Sequence, residues 1–324
     1  MVNQNQTVSP LNLIVALATG LTSGSGLLVT ILCSVALIRS TSFGASYRWI
    51  TVSLGVADGG ILSVFFCWTV PATLTGQPLV YSLLGRKIGQ LALTFQFAVI
   101  YNMLAVSVNR YFAVARCMQY DICFSEQNTK QGIILIWLLS GIHGLLYFYP
   151  GCDFVYDHST FVWLFADSKC HDLMIAFDLW YSLFFLLLVM CINLATGCHI
   201  RGHNKRVVSR LKSREEKRRQ VQQRQKQEVR FFLLSCLNVG AFAFMYLCFH
   251  LISPYAAGPF QLYLSTSWVW QLSHATNPWI LLLMNSELRS CLLQFCQSKP
   301  KVRPKVRPVN YVARIRHTTC PEAM

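Results

Sequence analysis

The stretch from Leu11 to Ile38 reads LNLIVALATGLTSGSGLLVTILCSVALI and contains no charged residue. An α-helix needs about 20 apolar residues to cross about 30 Å of membrane hydrocarbon. Because this stretch is 28 residues long, it exceeds that requirement. We therefore predict a membrane-spanning helix close to the amino terminus.

Similar apolar runs follow along the chain, at 49–85, 88–109, 131–152, 173–200 and 231–286, and only Asp58 and Asp178 carry a charge within them. The last run is too long for one helix. Its Ser253-Pro254 and Gly258-Pro259 pairs divide it, because proline lacks a backbone donor and clashes with the preceding turn. The prediction is seven spans, at about 11–38, 50–74, 88–112, 131–150, 173–198, 229–253 and 260–284.

The composition is typical of an integral membrane protein. Of its 324 residues, 54% are hydrophobic and 13% are charged, whereas soluble proteins carry about 25% charged residues. These values exclude a disordered or fibrous chain and argue against a soluble enzyme. Strands of a membrane barrel alternate over about ten residues, but these runs are continuous. The predicted fold class is an all-α membrane protein, a seven-transmembrane helix bundle with a short interfacial helix after the seventh span.

Basic residues predict the orientation, because lysine and arginine are retained on the cytoplasmic side. The net charge is +15. With the amino terminus outside, 25 basic residues lie inside and three lie outside. The chain then divides into an extracellular tail (1–10), the seven-span domain (11–285), an interfacial amphipathic helix (286–297) and a basic cytoplasmic tail (298–324).

Two of the 13 cysteines, Cys152 and Cys170, fall in the predicted extracellular loop between the fourth and fifth spans. We predict that they form a disulfide, which would restrict the unfolded chain by roughly 3 kcal/mol in the chain-entropy model. Two free thiols are the alternative. The sequence contains no C-x-x-C pair, so no metal site is predicted.

Three residues are candidates for modification. Asn5 begins an N-glycosylation triplet on the predicted outer side. Cys291 and Cys296 lie on the apolar face of the predicted interfacial helix. They are palmitoylation candidates, and two unmodified cysteines are the equal alternative.

Short motifs within the spans resemble those of rhodopsin-like G-protein-coupled receptors. Asn109-Arg110-Tyr111 is similar to the D/E-R-Y motif that ends the third helix, and Asn277-Pro278 is similar to the start of N-P-x-x-Y. The run from Ser53 to Asp58 and the position of Trp137 match the second and fourth helices. The sequence departs from the pattern at Leu281, which replaces the tyrosine, and it lacks the cysteine at the outer end of the third helix.

A narrower resemblance fits these departures. The run from Asn109 to Val114, followed by Tyr120-Asp121, is similar to nematode chemoreceptors of serpentine receptor class x. So is the loop from Cys152 to Cys170. The resemblance covers roughly residues 15–285. It implies a receptor for an odorant or a pheromone-like small molecule that activates a heterotrimeric G protein, in the plasma membrane and in sensory cilia.

The resemblance assigns the switch and coupling roles to six residues: Asp58, Asn109, Arg110, Tyr111, Asn277 and Pro278. A carboxylate in mid-membrane is expensive and usually functional. Asp58 could bind a cation, or it could be protonated and hydrogen-bonded, with Asn277 as an available partner. A packing role for Asp58 and a snorkelling role for Arg110 are the simpler alternatives.

The ligand site is predicted in the outer half of the bundle, as an apolar pocket with a few polar groups. Gln96 lies 14 residues before Arg110, or about 21 Å along a helix. The candidate contacts are Gln96, Trp163, Asp178, Tyr181, Tyr246, His250, Trp268 and Gln271. Ordinary helix packing is the alternative for each of them.

Other classes of function are less well supported. An inverted channel or transporter subunit, of the insect odorant-receptor type, is the alternative, but it would need the amino terminus inside. The predicted seventh span has no lysine for a retinal Schiff base. We find no catalytic motif, so no enzyme activity and no cofactor are predicted. The expected partners are ligand, G protein and the lipid bilayer, without nucleic acid, and a receptor dimer is left open.

Epitope tags before Met1 and after Met324 test the predicted orientation. Because of the 25 to 3 charge split, we expect live, unpermeabilised cells to stain for the amino-terminal tag alone. Staining of the carboxy-terminal tag alone would remove Arg110 from the cytoplasmic face and favour the inverted subunit.

Overall fold

The computed structural model describes residues 9–40, 43–75, 82–149, 151–166, 169–210 and 215–296. Asn5 and the tail at 298–324 lie outside these ranges. The described chain forms a bundle of seven long helices. Their bounds are Pro10–Arg39, Ala45–Thr75, Leu83–Ala115, Glu126–Phe148, His171–Arg210, Glu215–Leu247 continued by Cys248–Ile252 and Ser253–Tyr255, and Pro259–Tyr263 continued by Leu264–Trp268 and Val269–Met284.

Six of these helices are long and apolar enough to cross a membrane by length and composition. The seventh falls at the predicted position 260–284, but a change of helix type at Leu264–Trp268 divides it into shorter pieces. The fifth helix extends to Arg210 and the sixth begins at Glu215, so both helices continue beyond their apolar runs. The outward faces of the bundle carry exposed leucines, isoleucines and phenylalanines, as expected for contact with lipid.

The third helix lies at the centre of the bundle, where it packs against the second, fourth and fifth helices. The first helix packs against the second and seventh, and the sixth packs between the fifth and seventh. The third helix can therefore contribute side chains to sites at both the outer and the inner end of the bundle.

Three helices contain a π-helical turn, at Phe65–Thr69, Cys248–Ile252 and Leu264–Trp268. A π turn holds one more residue than an α turn. Side chains beyond it are therefore rotated relative to a regular 3.6-residue repeat. The periodicity of an ideal helix does not predict these turns.

A β-hairpin that the sequence did not predict lies in the loop after the fourth helix. Strands β1 (Phe154–Asp157) and β2 (Val162–Phe165) pair antiparallel. In the turn, the Asp157 carboxylate accepts hydrogen bonds from the Ser159 amide (2.9 Å) and the Thr160 hydroxyl (2.7 Å). Burial raises the pKa of Asp157, but these hydrogen bonds lower it more, so that its pKa lies below the usual value.

The hairpin is packed into the outer end of the bundle. Trp163 is buried, and its indole donates to the Thr69 hydroxyl of the second helix (3.3 Å). A disulfide joins Cys152 to Cys170, so both ends of the hairpin are tied together. On the third helix, Gly89 lies directly beneath the hairpin, and a Cβ atom at that position would overlap the carbonyl oxygen of Phe154.

A short helix, Ser286–Cys296, follows the seventh. The Asn285 side chain caps it by accepting from the amides of Glu287 and Leu288, both at 3.1 Å. Leu288 is fully buried, in a cluster that also contains Leu37 of the first helix. The apolar face predicted for this helix thus packs, at its first turn, on the inner end of the bundle.

Replacing Gly89 by alanine tests the contact between the third helix and the hairpin. An added methyl group in a helix normally stabilises it by about 0.5–1 kcal/mol, but overpacking costs about 1–3 kcal/mol. We expect Gly89→Ala to lower the midpoint of thermal unfolding of the solubilised chain. Gly141→Ala, whose Cβ would meet no atom within 4 Å, is the matched control. Equal midpoints for the two variants would contradict the packing described.

Candidate functional site

A cavity of about 280 Å³ lies in the outer half of the bundle, beneath the hairpin. Its walls come from the third, fifth, sixth and seventh helices and from the hairpin. Most of the lining is aromatic or aliphatic, with a small number of polar side chains. That composition is typical of small-molecule sites, although the volume is near the lower end of their range of about 300–1,000 Å³.

Five of the eight predicted contacts line this cavity: Gln96, Trp163, Asp178, Tyr246 and His250. The Tyr246 and His250 rings lie parallel, 6.1 Å apart, one turn from each other on the sixth helix. Trp163 reaches the cavity from β2 and meets Trp270 edge to face, with ring centroids 6.4 Å apart.

The other three predicted contacts do not line the cavity. The Trp268 indole donates to the Thr22 hydroxyl of the first helix (3.3 Å). Gln271 is fully buried, and its amide donates to the Tyr263 hydroxyl (3.4 Å). Tyr181 shares a hydrogen bond with a hydroxyl of the third helix, that of Tyr101 (2.5 Å).

The π turn accounts for one of these differences, that at Trp268. It ends at Trp268 and therefore rotates the outer part of the seventh helix relative to a regular repeat. Trp270 occupies the cavity wall instead. Phe154, Phe165 and His171 were also missed, because the hairpin that presents the first two could not be inferred from apolar periodicity.

A continuous chain of polar side chains begins at the floor of this cavity. The Gln96 side-chain oxygen lies 2.9 Å from the Trp270 indole nitrogen and 3.0 Å from His274 Nε2. On the other side of the ring, His274 Nδ1 lies 2.9 Å from Asp58 Oδ1. Asp58 and His274 are both fully buried. The third, second and seventh helices are thus joined by hydrogen bonds in the middle of the bundle.

The hydrogen bonds constrain the protons of this group. Because the Gln96 oxygen can only accept, both the indole of Trp270 and Nε2 of His274 must donate to it. The contact between His274 Nδ1 and Asp58 then holds one proton, which resides on either partner. The pair is either an imidazolium with a carboxylate or two neutral groups, so its net charge is zero in both cases.

The second carboxylate oxygen of Asp58 accepts from the Asn277 side chain at 2.5 Å. The Asn277 oxygen in turn accepts from Asn238 of the sixth helix at 2.6 Å. The sequence analysis offers Asn277 as a partner of Asp58 but does not identify His274 as one. Since His274 and Asn277 are three residues apart, they share a helix face, and this spacing is a signal that could have found it.

Asn238 and Asn277 also line a second, smaller cavity of about 30 Å³ towards the inner end. Arg110 lines the same cavity. Pro278 follows Asn277 within the helix and cannot donate a backbone hydrogen bond to the preceding turn. The polar chain therefore runs from the outer cavity to the surroundings of Arg110, and it ends beside a weakened turn of the seventh helix.

Arg110 is almost fully buried, and its guanidinium carbon lies 4.0 Å from the centre of the Tyr47 ring on the second helix. The neighbouring Asn109 donates to the hydroxyl of Tyr120 (3.1 Å), which lies on a short helix, Cys117–Cys123. Tyr111 meets the His199 ring of the fifth helix edge to face, at 5.8 Å. The three residues of the motif therefore contact three different elements.

Two further predictions concern cysteines and metals. Cys291 is half-buried and its sulfur lies 3.8 Å from the Ala36 carbonyl oxygen, so it points to the first helix. The side chain of Cys296 lies outside the described ones. No group of three or more His, Cys, Asp or Glu side chains that could hold a metal occurs among the described residues.

Comparison with known proteins finds one family and one fold. The family described as serpentine type 7TM GPCR chemoreceptor Srx matches residues 21–285. Among solved structures, the chain is similar to squid rhodopsin, with a TM-score of 0.76 over 98% of this chain and 95% of that chain. The two sequences are 15% identical, so this similarity shows the fold alone. No curated protein matches the chain.

The Asp58–His274 pair can be tested with Asp58→Ala, His274→Ala and the double variant. A buried group left without its partner costs about 1–3 kcal/mol, so each single variant should lower the midpoint of thermal unfolding. Contacting residues couple, so the double variant should lose less than the sum of the two. Gln131→Ala, at an exposed position of the fourth helix, is the control. Strictly additive losses would contradict a direct interaction.

Proposed function

The chain belongs to the Srx family of serpentine seven-transmembrane chemoreceptors, and we propose that it binds a small organic ligand in the outer cavity and activates a heterotrimeric G protein at the inner face. The family is one of receptors rather than of enzymes. The observation that carries the proposal is the polar chain from Gln96 to Asn238, because it links the cavity beneath the hairpin to the cavity beside Arg110.

Ligand binding acts on the outer end of this chain. Gln96 and Trp270 line the cavity. The Trp270 indole is bonded to the Gln96 oxygen, and the same oxygen is bonded to His274. A ligand that displaces either side chain changes the hydrogen bonds that hold His274 and, through it, Asp58. A ligand shifts an equilibrium only by its differential affinity for the two states, and these contacts are where that difference arises.

The response appears at the inner end of the helices. Arg110 stacks on Tyr47 and so holds the third helix against the second. In the active state this contact opens, and the guanidinium becomes a partner for the G protein. Of the basic residues, 12 lie between positions 201 and 230, on the predicted cytoplasmic side. There they would attract anionic lipid headgroups and acidic surfaces of the G protein.

The cellular site we propose is the plasma membrane of sensory neurons, including their cilia, with the amino terminus outside. The charge split supports this orientation. The receptor family and the rhodopsin-like fold leave the inverted channel subunit without a supporting observation.

Arg110→Ala tests the coupling. Membranes that carry the receptor are assayed for nucleotide exchange on a heterotrimeric G protein, with a panel of small amines, alcohols, ketones and acids as candidate ligands. We expect the variant to reach the cell surface at the normal level and to lose at least 90% of the exchange activity.

Arg116→Ala is the matched control, since Arg116 follows the same helix but is exposed. It should keep most of the activity. Full exchange activity in Arg110→Ala, at equal surface level, would refute the assignment of Arg110 as the coupling residue.

A further inference from the structure

We propose that the ligand is a small primary amine whose ammonium group pairs with Asp178 in the outer cavity. This inference rests on the proposed function, because it names the chemical class of ligand for the same cavity. It is carried by the placement of one carboxylate in a mostly aromatic and aliphatic site.

Among the described residues that line the cavity, Asp178 is the sole acidic one, and none is a lysine or an arginine. Among the described residues, none makes a hydrogen bond or an ion pair with its carboxylate. An isolated carboxylate in an apolar site is costly unless it is paired. A cationic ligand supplies the missing partner, and a charged hydrogen bond of this kind is stronger than a neutral one.

Two basic residues at the outer end of the third helix, Arg86 and Lys87, have other partners. Arg86 forms an ion pair with Asp153, at 3.4 Å. The Lys87 ammonium lies over the Phe148 ring, 3.8 Å from its centre. Neither lines the cavity. Within the described part of the chain, no lysine or arginine that lines the cavity therefore competes with a ligand for Asp178.

Six aromatic side chains contribute to the remaining wall. Trp163 and Trp270 stand perpendicular to each other, and Phe154 stacks on Trp163 at 5.6 Å. Aromatic faces attract an ammonium group by its charge and the attached carbon chain by its apolar surface. Tyr246 lines the same cavity, within electrostatic reach of Asp178.

The same geometry disfavours a carboxylic acid. Its charge would add to that of Asp178, and two carboxylates in one site repel each other. Two histidines in the lining are the other candidate partners for an acid. His171 is bonded through Nδ1 to the Phe165 carbonyl oxygen at 3.1 Å, and the His250 ring lies parallel to that of Tyr246. A neutral ligand would leave Asp178 without a charged partner. The cavity volume of about 280 Å³ also limits the ligand to a small body.

The test uses the purified full-length chain in lipid nanodiscs and matched sets of probes. Hexylamine, 1-hexanol and hexanoate form one set, and 2-phenylethylamine, 2-phenylethanol and phenylacetate form the other. Binding is read as the concentration-dependent rise in the midpoint of thermal unfolding. We expect at least one amine to bind, and its alcohol and acid counterparts to bind at least tenfold more weakly.

Three variants locate the interaction. Asp178→Asn should weaken amine binding roughly 10- to 100-fold, as expected for loss of a charged hydrogen bond. Asp178→Glu keeps the charge and should retain the preference for amines. Asp172→Asn, on an exposed position of the same helix that does not line the cavity, should bind as the unmodified chain does. The midpoints without ligand show whether each variant is folded.

Several outcomes would overturn the amine assignment: no binding of either amine, equal binding of the alcohols or acids, or unchanged amine affinity in folded Asp178→Asn. Nucleotide exchange on the G protein is measured separately with each probe. Exchange evoked by an acid or alcohol would refute the amine class but support the receptor function. Amine binding that depends on Asp178 but evokes no exchange would uphold the site and count against G-protein activation.

Discussion

The interior of this bundle depends on one constraint: a carboxylate surrounded by helices and lipid must find its hydrogen-bond partners within the protein, because no bulk water reaches it. Asp58 meets this requirement with both oxygens, one to His274 and one to Asn277. Since His274 also bonds to Gln96, the second, third and seventh helices can rotate little without breaking a buried bond. The outer and inner cavities lie at the two ends of this fixed core.

The outer end is held by a different set of contacts. The chain lacks the third-helix cysteine of rhodopsin-like receptors, and its disulfide lies within the loop instead. The hairpin is nevertheless attached to the third helix, through the ion pair of Arg86 with Asp153 and through the close approach at Gly89. Nearby, Gln90 donates to the Tyr147 carbonyl at the end of the fourth helix (2.5 Å). Polar contacts and close packing thus replace a covalent link.

The candidate site could be predicted in part because some of its residues are recognisable from the sequence, by their charge within an apolar run or by their spacing. A charge within an apolar run, such as Asp58 or Asp178, must face the interior, since lipid excludes it. Tyr246 and His250 share one face by spacing. Gln271 lies two turns before Pro278 on a regular helix but is buried beside Tyr263, and a π turn at Leu264–Trp268 changes the direction of Trp268. Trp270 lines the cavity instead.

The sequence by itself determined the seven helices and the family, because apolar length and short motifs are local properties of the chain. Its basic residues predict the orientation, and its family is one of receptors. Only the tertiary structure decided which side chains meet: that His274 bridges Asp58 and Gln96, that a buried hairpin covers the cavity, and that Asp178 lines it with no hydrogen-bond or ion-pair partner among the described residues. The physical reason is that these contacts depend on helix rotation and on pairs far apart along the chain, such as Asp58 and His274, which no local pattern specifies.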